Sequence, residues 1–294
     1  MTARERGFLL LSSKLGNPDR KCLTQAQLRT LAACVRTAPR LGDGTVSCGA
    51  LMEMGVSREL AQRTAELLDQ EEMLSHYLRR AAGAGCVPIT RGTRRYPPVV
   101  RERLGEDSPG CIWAKGPCEL LDTPMVALVG SRDIRPENRQ FAQEAGRQCA
   151  EQGFTLVSGN ARGADQAAQA ACIQAGGQVI CVVADSLEAY APDARILYLS
   201  EDSFDLPFSC ARALSRNRII HALGTRTLVA QCAMEQGGTW DGTARNLRFG
   251  WSPVYCFADG SAAAEELVQM GAEPIAMAAL EDLAGLPDPN PRLF

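Results

Sequence analysis

Four short segments of this 294-residue chain combine glycine, hydroxyl and arginine in a way suited to holding an anion. Gly130-Ser131-Arg132 directly follows the apolar run Val126-Ala127-Leu128-Val129. Glycine lets the backbone approach a ligand, serine adds a hydroxyl, and arginine presents a planar fork that matches phosphate. Ser158-Gly159-Asn160-Ala161-Arg162-Gly163-Ala164-Asp165 repeats the combination after a second apolar run. Asp165 could cap the helix that follows, orient Arg162, or accept a hydrogen bond from a ribose hydroxyl. In Ser215-Arg216-Asn217-Arg218-Ile219-Ile220 two arginines flank Asn217. On a helix their directions differ by about 200°, so one can face a ligand while the other braces the fold. Gly237-Gly238-Thr239-Trp240-Asp241-Gly242-Thr243 is a glycine- and threonine-rich turn into a helix, a further source of backbone N–H donors. Each segment is weak evidence alone. Four of them at one sheet edge would make a phosphate-binding site from Gly130, Ser131, Arg132, Ser158, Gly159, Arg162, Gly163, Asp165, Arg216, Asn217, Arg218, Gly237, Gly238, Thr239 and Thr243.

The elements that must position these residues are legible as a repeated strand-then-helix pattern. Apolar strands are expected at Met125–Val129, Phe154–Val157, Gln178–Val183, Thr227–Ala230 and Val254–Phe257. Helices are expected near Glu137–Glu151, Ala164–Ala175, Ala211–Ala222, Thr243–Phe249 and Ala262–Met270. Continuous apolar strands alternating with amphipathic helices indicate a mostly parallel sheet covered on both faces, an α/β class in which ligands sit beyond the carboxyl ends of the strands. Residues 1–85 read as a small helical N-terminal domain. Thr24 is placed to cap a helix beginning at Gln25, Gly55 to end one, and Ser57 to cap the next. The two helices around Gly55 are read as a packing unit in preference to a DNA-binding hairpin. The proline-punctuated stretch 86–124 reads as a connector leading into the sheet, with a short strand at Cys111–Lys115. Residues 125–286 form the α/β domain, and 287–294 a proline-rich tail.

Composition narrows the class. With 46% hydrophobic and 22% charged residues, this is ordinary globular composition. No apolar run approaches the roughly 18 residues that span a bilayer. The apolar stretch Phe8–Leu11 is too short for the core of a signal peptide, so the expectation is a cytoplasmic protein. Twelve cysteines are scattered through core segments without a C-x-x-C pair, and there are only two histidines. Reduced buried thiols are expected, with no metal site and no cofactor. Net charge is −3, and the lysines are only Lys14, Lys21 and Lys115, so nearly all basic residues are arginine.

The order Val-Gly-Ser-Arg, Ser-Gly-x-Ala-Arg-Gly-x-Asp, Arg-Asn-Arg-Ile-Ile, then a Gly/Thr-rich turn, resembles the DNA-processing protein A (DprA/Smf) family. The likeness runs from Ile89-Thr90 and Tyr96-Pro97, through Trp113-Ala114-Lys115-Gly116, to Gly271-Ala272. It implies an extended Rossmann-like domain that binds single-stranded DNA. It also implies a homodimer that helps load a RecA-type recombinase in natural transformation or recombination. On this likeness Arg132, Arg162 and Arg216 or Arg218 contact phosphate, and no catalytic constellation is implied. The chain departs from the family pattern in several places. Gln166-Ala167-Ala168-Gln169-Ala170 lacks the histidine usual in that helix, Gln231 replaces an acidic residue, and the segment before Arg216 is shortened. No C-terminal winged helix is expected. Residues 124–260 hold 12 arginines against 14 acidic residues, so the core is not globally basic.

A second reading is a Rossmann-like nucleotide sensor or nucleotide-processing protein related to the lysine-decarboxylase-like (LOG) fold, suggested by Gly237-Gly238-Thr239-Trp240-Asp241-Gly242-Thr243. The glutamate expected after that turn is missing, since Ala244-Arg245-Asn246 follows. A third is a scaffold whose value lies in its partner surface. Stacking on exposed bases would call on Trp113, Trp240 or Trp251, each of which is also a candidate for the core.

Overall fold

A computed structural model describes residues 1–37 and 46–287. Five helices open the chain: α1 (Ala3–Ser12), α2 (Gln25–Thr37), α3 (Cys48–Glu53), α4 (Arg58–Leu68) and α5 (Glu71–Gly83). Their starts follow local chemistry. Thr24 Oγ1 accepts from the Gln27 N–H while the Gln27 side chain returns to the Thr24 N–H, closing a reciprocal cap. Ser57 accepts from the Leu60 N–H at the start of α4, and Gly55 takes the positive φ of 85° that turns the chain after α3.

The stretch 86–124 does more than connect. It supplies β1 (Cys86–Thr90), α6 (Pro98–Leu104) and β2 (Cys111–Lys115), an antiparallel pair at one side of the sheet. Then come β3 (Met125–Val129), α7 (Pro136–Glu151), β4 (Thr155–Ser158), α8 (Ala164–Gln174), β5 (Val179–Val183), β6 (Ile196–Glu201), α9 (Cys210–Leu223), β7 (Arg226–Val229), α10 (Gly237–Phe249), β8 (Val254–Phe257), α11 (Ala262–Gln269) and β9 (Glu273–Ile275). The nine strands form one sheet in the order β1-β2-β6-β5-β4-β3-β7-β8-β9. All pairings from β6 to β9 are parallel, giving an extended Rossmann-like fold. The strands β6 and β9 and the short β1 are additions to the expected set. The Gly/Thr segment is also revised: Gly237, Gly238 and Thr239 are the first turn of α10, not a loop ahead of it.

Alternation explains the unbroken apolar strands. Val126 and Leu128 face a core shared with α7 and α8, whereas Ala127 and Val129 face one shared with α9 and α11. The first core also takes Leu9 and Leu10 of α1 and Leu74, Tyr77 and Ala81 of α5. Only α2 to α4 gather a small core of their own, around Leu31, Leu51, Leu60 and Leu67. The N-terminal helices are therefore partly built into the sheet's interior. All twelve cysteines are free, and most are buried. Of the tail, the Pro287 carbonyl accepts from the Tyr255 hydroxyl at 2.7 Å; 288–294 lie outside the described residues.

Candidate nucleic-acid interface

Strand order reverses at β3, which has β4 on one side and β7 on the other. The chains leaving β3 and β4 pass to one face, into α7 and α8, and the chain leaving β7 passes to the other, into α10, so a crevice opens between them. The loop after β3, the loop after β4, the start of α9 and the start of α10 meet there. The crevice has two lobes, of about 290 Å3 and about 490 Å3, which share Arg132, Ala161, Phe208 and Arg216.

Arg216 is the central group. It is only 8% exposed, yet no carboxylate pairs with it among the described residues. Its Nη2 donates to the Gly159 carbonyl and its Nη1 to Asn217 Oδ1, both at 2.9 Å, and its Nε has no partner. Burial holds the guanidinium below its ordinary proton affinity, although the field of Asp165 opposes this. Gly159 is required by that approach, because a Cβ there would sit on the Arg216 guanidinium. Asn217 continues the chain of contacts by donating to the Gly238 carbonyl at 2.8 Å.

The loops are locked to one another by backbone contacts. Gly163 has φ of 91°, and a Cβ at that position would strike the carbonyls of Ser131 and Arg132. The Ala164 N–H then donates to the Ser131 carbonyl at 3.1 Å. Asp165 is buried and accepts from the N–H groups of Gly159 and Ala161, each at 3.1 Å, so it shapes the loop after β4. Burial raises its pKa, with Arg216 and the two N–H donors opposing the shift. Thr239 Oγ1 donates to the Gly130 carbonyl at 2.9 Å, tying α10 to the end of β3. The first turn of α10 carries no side-chain cap and lines the larger lobe, leaving its N-terminal dipole end toward the cleft.

Exposed cations complete the rim. The Arg132 guanidinium lies over the Phe208 ring at 5.9 Å. Arg162 pairs with Asp133 at 2.6 Å, and both are well exposed, so solvent screens the pair and either charge is accessible to a ligand.

Not every expected residue reaches the cleft. Arg218 points away and forms a nearly buried ion pair with Glu201, also donating to Ser215. The divergence of alternate helical positions accounts for this: 216 faces the crevice and 218 braces the fold. The Ser158 hydroxyl is buried and accepts from Gln169 Nε2. Thr243 is buried in α10, and its hydroxyl has no partner. Of the tryptophans, Trp113 and Trp251 are buried and Trp240 packs on the second core, so none lines either lobe. The aromatic groups on the wall are Phe208, 51% exposed, and Tyr190, whose hydroxyl donates to Asp185 at 2.8 Å. Sequence reasoning missed both. The available signal was an aromatic at Phe208 immediately before the capping Ser209 of α9, where no core position explains it.

Comparison with known proteins gives this geometry a context. The family model described as DNA recombination-mediator protein A matches residues 88–284. The chain is 32% identical over 148 residues to the DNA processing protein DprA of Streptococcus pneumoniae, covering 45% of this chain and 50% of that protein. It is 30% identical over 153 residues to the protein Smf of Escherichia coli, covering 48% and 40% respectively. It thus spans about half the length of the curated relatives it matches. Among solved structures, DNA processing protein A from Streptococcus pneumoniae superposes with a TM-score of 0.74 at 24% identity, over 97% of this chain and 98% of that one. The Helicobacter pylori protein of the same name, solved for its single-stranded DNA binding mode, gives a TM-score of 0.54 at 23% identity over 67% and 94%. These matches favour the DprA/Smf likeness over the LOG-like alternative. With well over half of its length matched by the family model, the chain belongs to the DNA recombination-mediator protein A family.

Proposed function

We propose that this protein binds single-stranded DNA in the strand-end crevice and acts in DNA processing for uptake or recombination, without catalysing a reaction. The observation that carries the reading is Arg216: a buried guanidinium beside a helix N-terminus, with no partner for its Nε and no ion pair among the described residues, is an arrangement that an anion completes. Arg132 and Arg162 on the rim extend the positive field, and Phe208 and Tyr190 offer faces on which bases can stack. The reading draws further support from family membership and from the single-stranded DNA bound by the Helicobacter pylori relative.

The proposal extends to assembly. In this reading the protein works as a homodimer and passes its strand to a RecA-type recombinase. Analytical ultracentrifugation checks the first point, and co-sedimentation with a recombinase on DNA the second.

The direct test is fluorescence anisotropy with a labelled oligo-deoxythymidine. Binding should be saturable at low salt, and its logarithm should fall with log salt at a slope of about −0.7 per phosphate held. A thermal shift with mononucleotides and no affinity for the oligonucleotide would instead support a nucleotide sensor.

A further inference from the structure

A group of arginines outside the crevice has no part in the site described above. Arg91, Arg94 and Arg95 stand on the loop after β1, and Arg101 follows in α6. Arg94, Arg95 and Arg101 are exposed. None of the four forms an ion pair among the described residues. The nearby acids are mostly engaged elsewhere: Glu106 and Asp107 pair with Arg29 and Arg36, and Glu5 closes the cap of α1. Glu102 is the exposed exception.

The loop is held in shape. Tyr96 donates to the Pro109 carbonyl at 2.8 Å, the Thr93 N–H to the Thr90 carbonyl at 2.8 Å, and Arg101 to the Arg91 carbonyl at 2.8 Å while lying over the Tyr96 ring. These cations are displayed on a folded turn, so ordering them for a ligand costs little conformational entropy.

Topology places the start of the turn on the same edge as the crevice, whereas Arg95 reaches the Cys118 thiol, just past the carboxyl end of β2 at the opposite edge. β1 is antiparallel to β2, and β2 is antiparallel to β6, so β1 runs in the same direction as β6, β5, β4 and β3. The carboxyl end of β1 therefore faces the same way as those of β3 and β4. Four strand spacings separate β1 from β4, or about 19 Å. Between them lies a groove of about 460 Å3 lined by Lys14, Lys21, Gly110, Ser215 and Arg218. Glu201 and Asp202 also line it. Arg218 neutralises Glu201, and Asp202, pushed up to about 6 by burial and by Glu201, keeps its negative charge at neutral pH against those of Lys14 and Lys21. Contacts join the parts: the Arg91 N–H donates to the Gly110 carbonyl at 3.1 Å, and Ser215 immediately precedes Arg216.

We infer that a track along this edge ends in a second site, Arg91 and Arg94, for the sugar–phosphate backbone of the strand held first at Arg216. The inference rests on the proposed single-stranded DNA reading and adds to it a path across the sheet. A strand long enough to leave the crevice crosses the Lys14–Lys21 groove and ends on the β1 turn. A short one never reaches it.

The test compares oligo-deoxythymidines of about 6 and about 20 nucleotides with the full chain and its Arg91→Ala/Arg94→Ala variant. Arg94 is exposed and Arg91 half-buried, and neither forms an ion pair among the described residues, so the variant should fold as the parent does, which circular dichroism checks. The long oligonucleotide should bind the variant about tenfold more weakly, with the salt slope shallower by about 1.4 for two lost phosphates. The short one should bind both forms equally. If the long oligonucleotide binds both forms with the same affinity and slope, the track is overturned while the crevice reading stands. If neither oligonucleotide binds the parent at low salt, both fail together.

Discussion

At the scale of single residues, Arg216 separates function from stability. A buried cation with no ion pair among the described residues costs desolvation energy that its two neutral acceptors and the field of Asp165 only partly return. Arg216→Met, which fills a similar volume without charge, should leave the melting temperature unchanged or higher while weakening oligonucleotide binding at least about tenfold, or about 1.4 kcal/mol. Thermal denaturation and anisotropy on one preparation check both halves. Thr243 gives the converse. Its hydroxyl is buried without a partner, so Thr243→Val should stabilise by about 1 kcal/mol in urea titration and leave binding alone. The glycine and arginine motifs were legible because few residue types serve a close backbone approach and an anion. Which of Arg216 and Arg218 faces the crevice was not, because that depends on how α9 is rotated against the sheet. Thr243 looked like a site residue only while the Gly/Thr segment was read as a turn; once Gly237 begins a helix, position 243 falls in its buried stripe.

At the scale of elements, the central strands were plain because burial on both faces makes them continuously apolar. β6 was hidden: its burial alternates, and it follows the proline-containing Tyr190-Ala191-Pro192-Asp193. β1 contains Pro88, which suggested a connector; it is tolerated because β1 is the terminal strand of the sheet, paired on one side only. The helix α9 is clamped to β7 and α10 through His221, whose Nδ1 lies 3.3 Å from Thr227 Oγ1 and 3.2 Å from Asn246 Nδ2. Burial, with the Arg216 charge adding to it, lowers the His221 pKa to about 3. In the unfolded chain it titrates near 6.5, so the unfolded state takes up the proton first. The stability owed to neutral His221 is full above about pH 6.5 and declines by roughly 1.4 kcal/mol per pH unit toward pH 3. Chemical denaturation across this window should show that slope for the parent and a flatter one for His221→Gln.

At the scale of the molecule, the expected division between an N-terminal helical domain and the sheet meets a shared interior. Trp113 of β2 packs edge-on against Tyr77 of α5, with ring centroids 5.3 Å apart, and both rings contact Phe204. The Tyr77 hydroxyl bonds to Ser203 at 2.8 Å and to Asp205 at 2.5 Å, carrying the link from α5 to the segment after β6. Tryptophan fluorescence and far-ultraviolet circular dichroism should therefore report one coincident unfolding transition. Two separated transitions would mean that α1 and α5 detach before the sheet. Charge was the least legible property at this scale. Counts of arginine and acid predict a nearly neutral core, whereas the fold gathers Arg132, Arg162 and Arg216 around one crevice.

In the proposed reading the crevice around Arg216 holds a DNA strand. The most direct test is anisotropy of a labelled oligo-deoxythymidine at low and moderate salt, for the parent and for Arg132→Ala combined with Arg216→Met. The account predicts saturable, salt-sensitive binding by the parent and a loss of about 100-fold or more in the double variant, some 2.7 kcal/mol. Equal binding by a correctly folded double variant, or no binding by the parent at low salt, would contradict it.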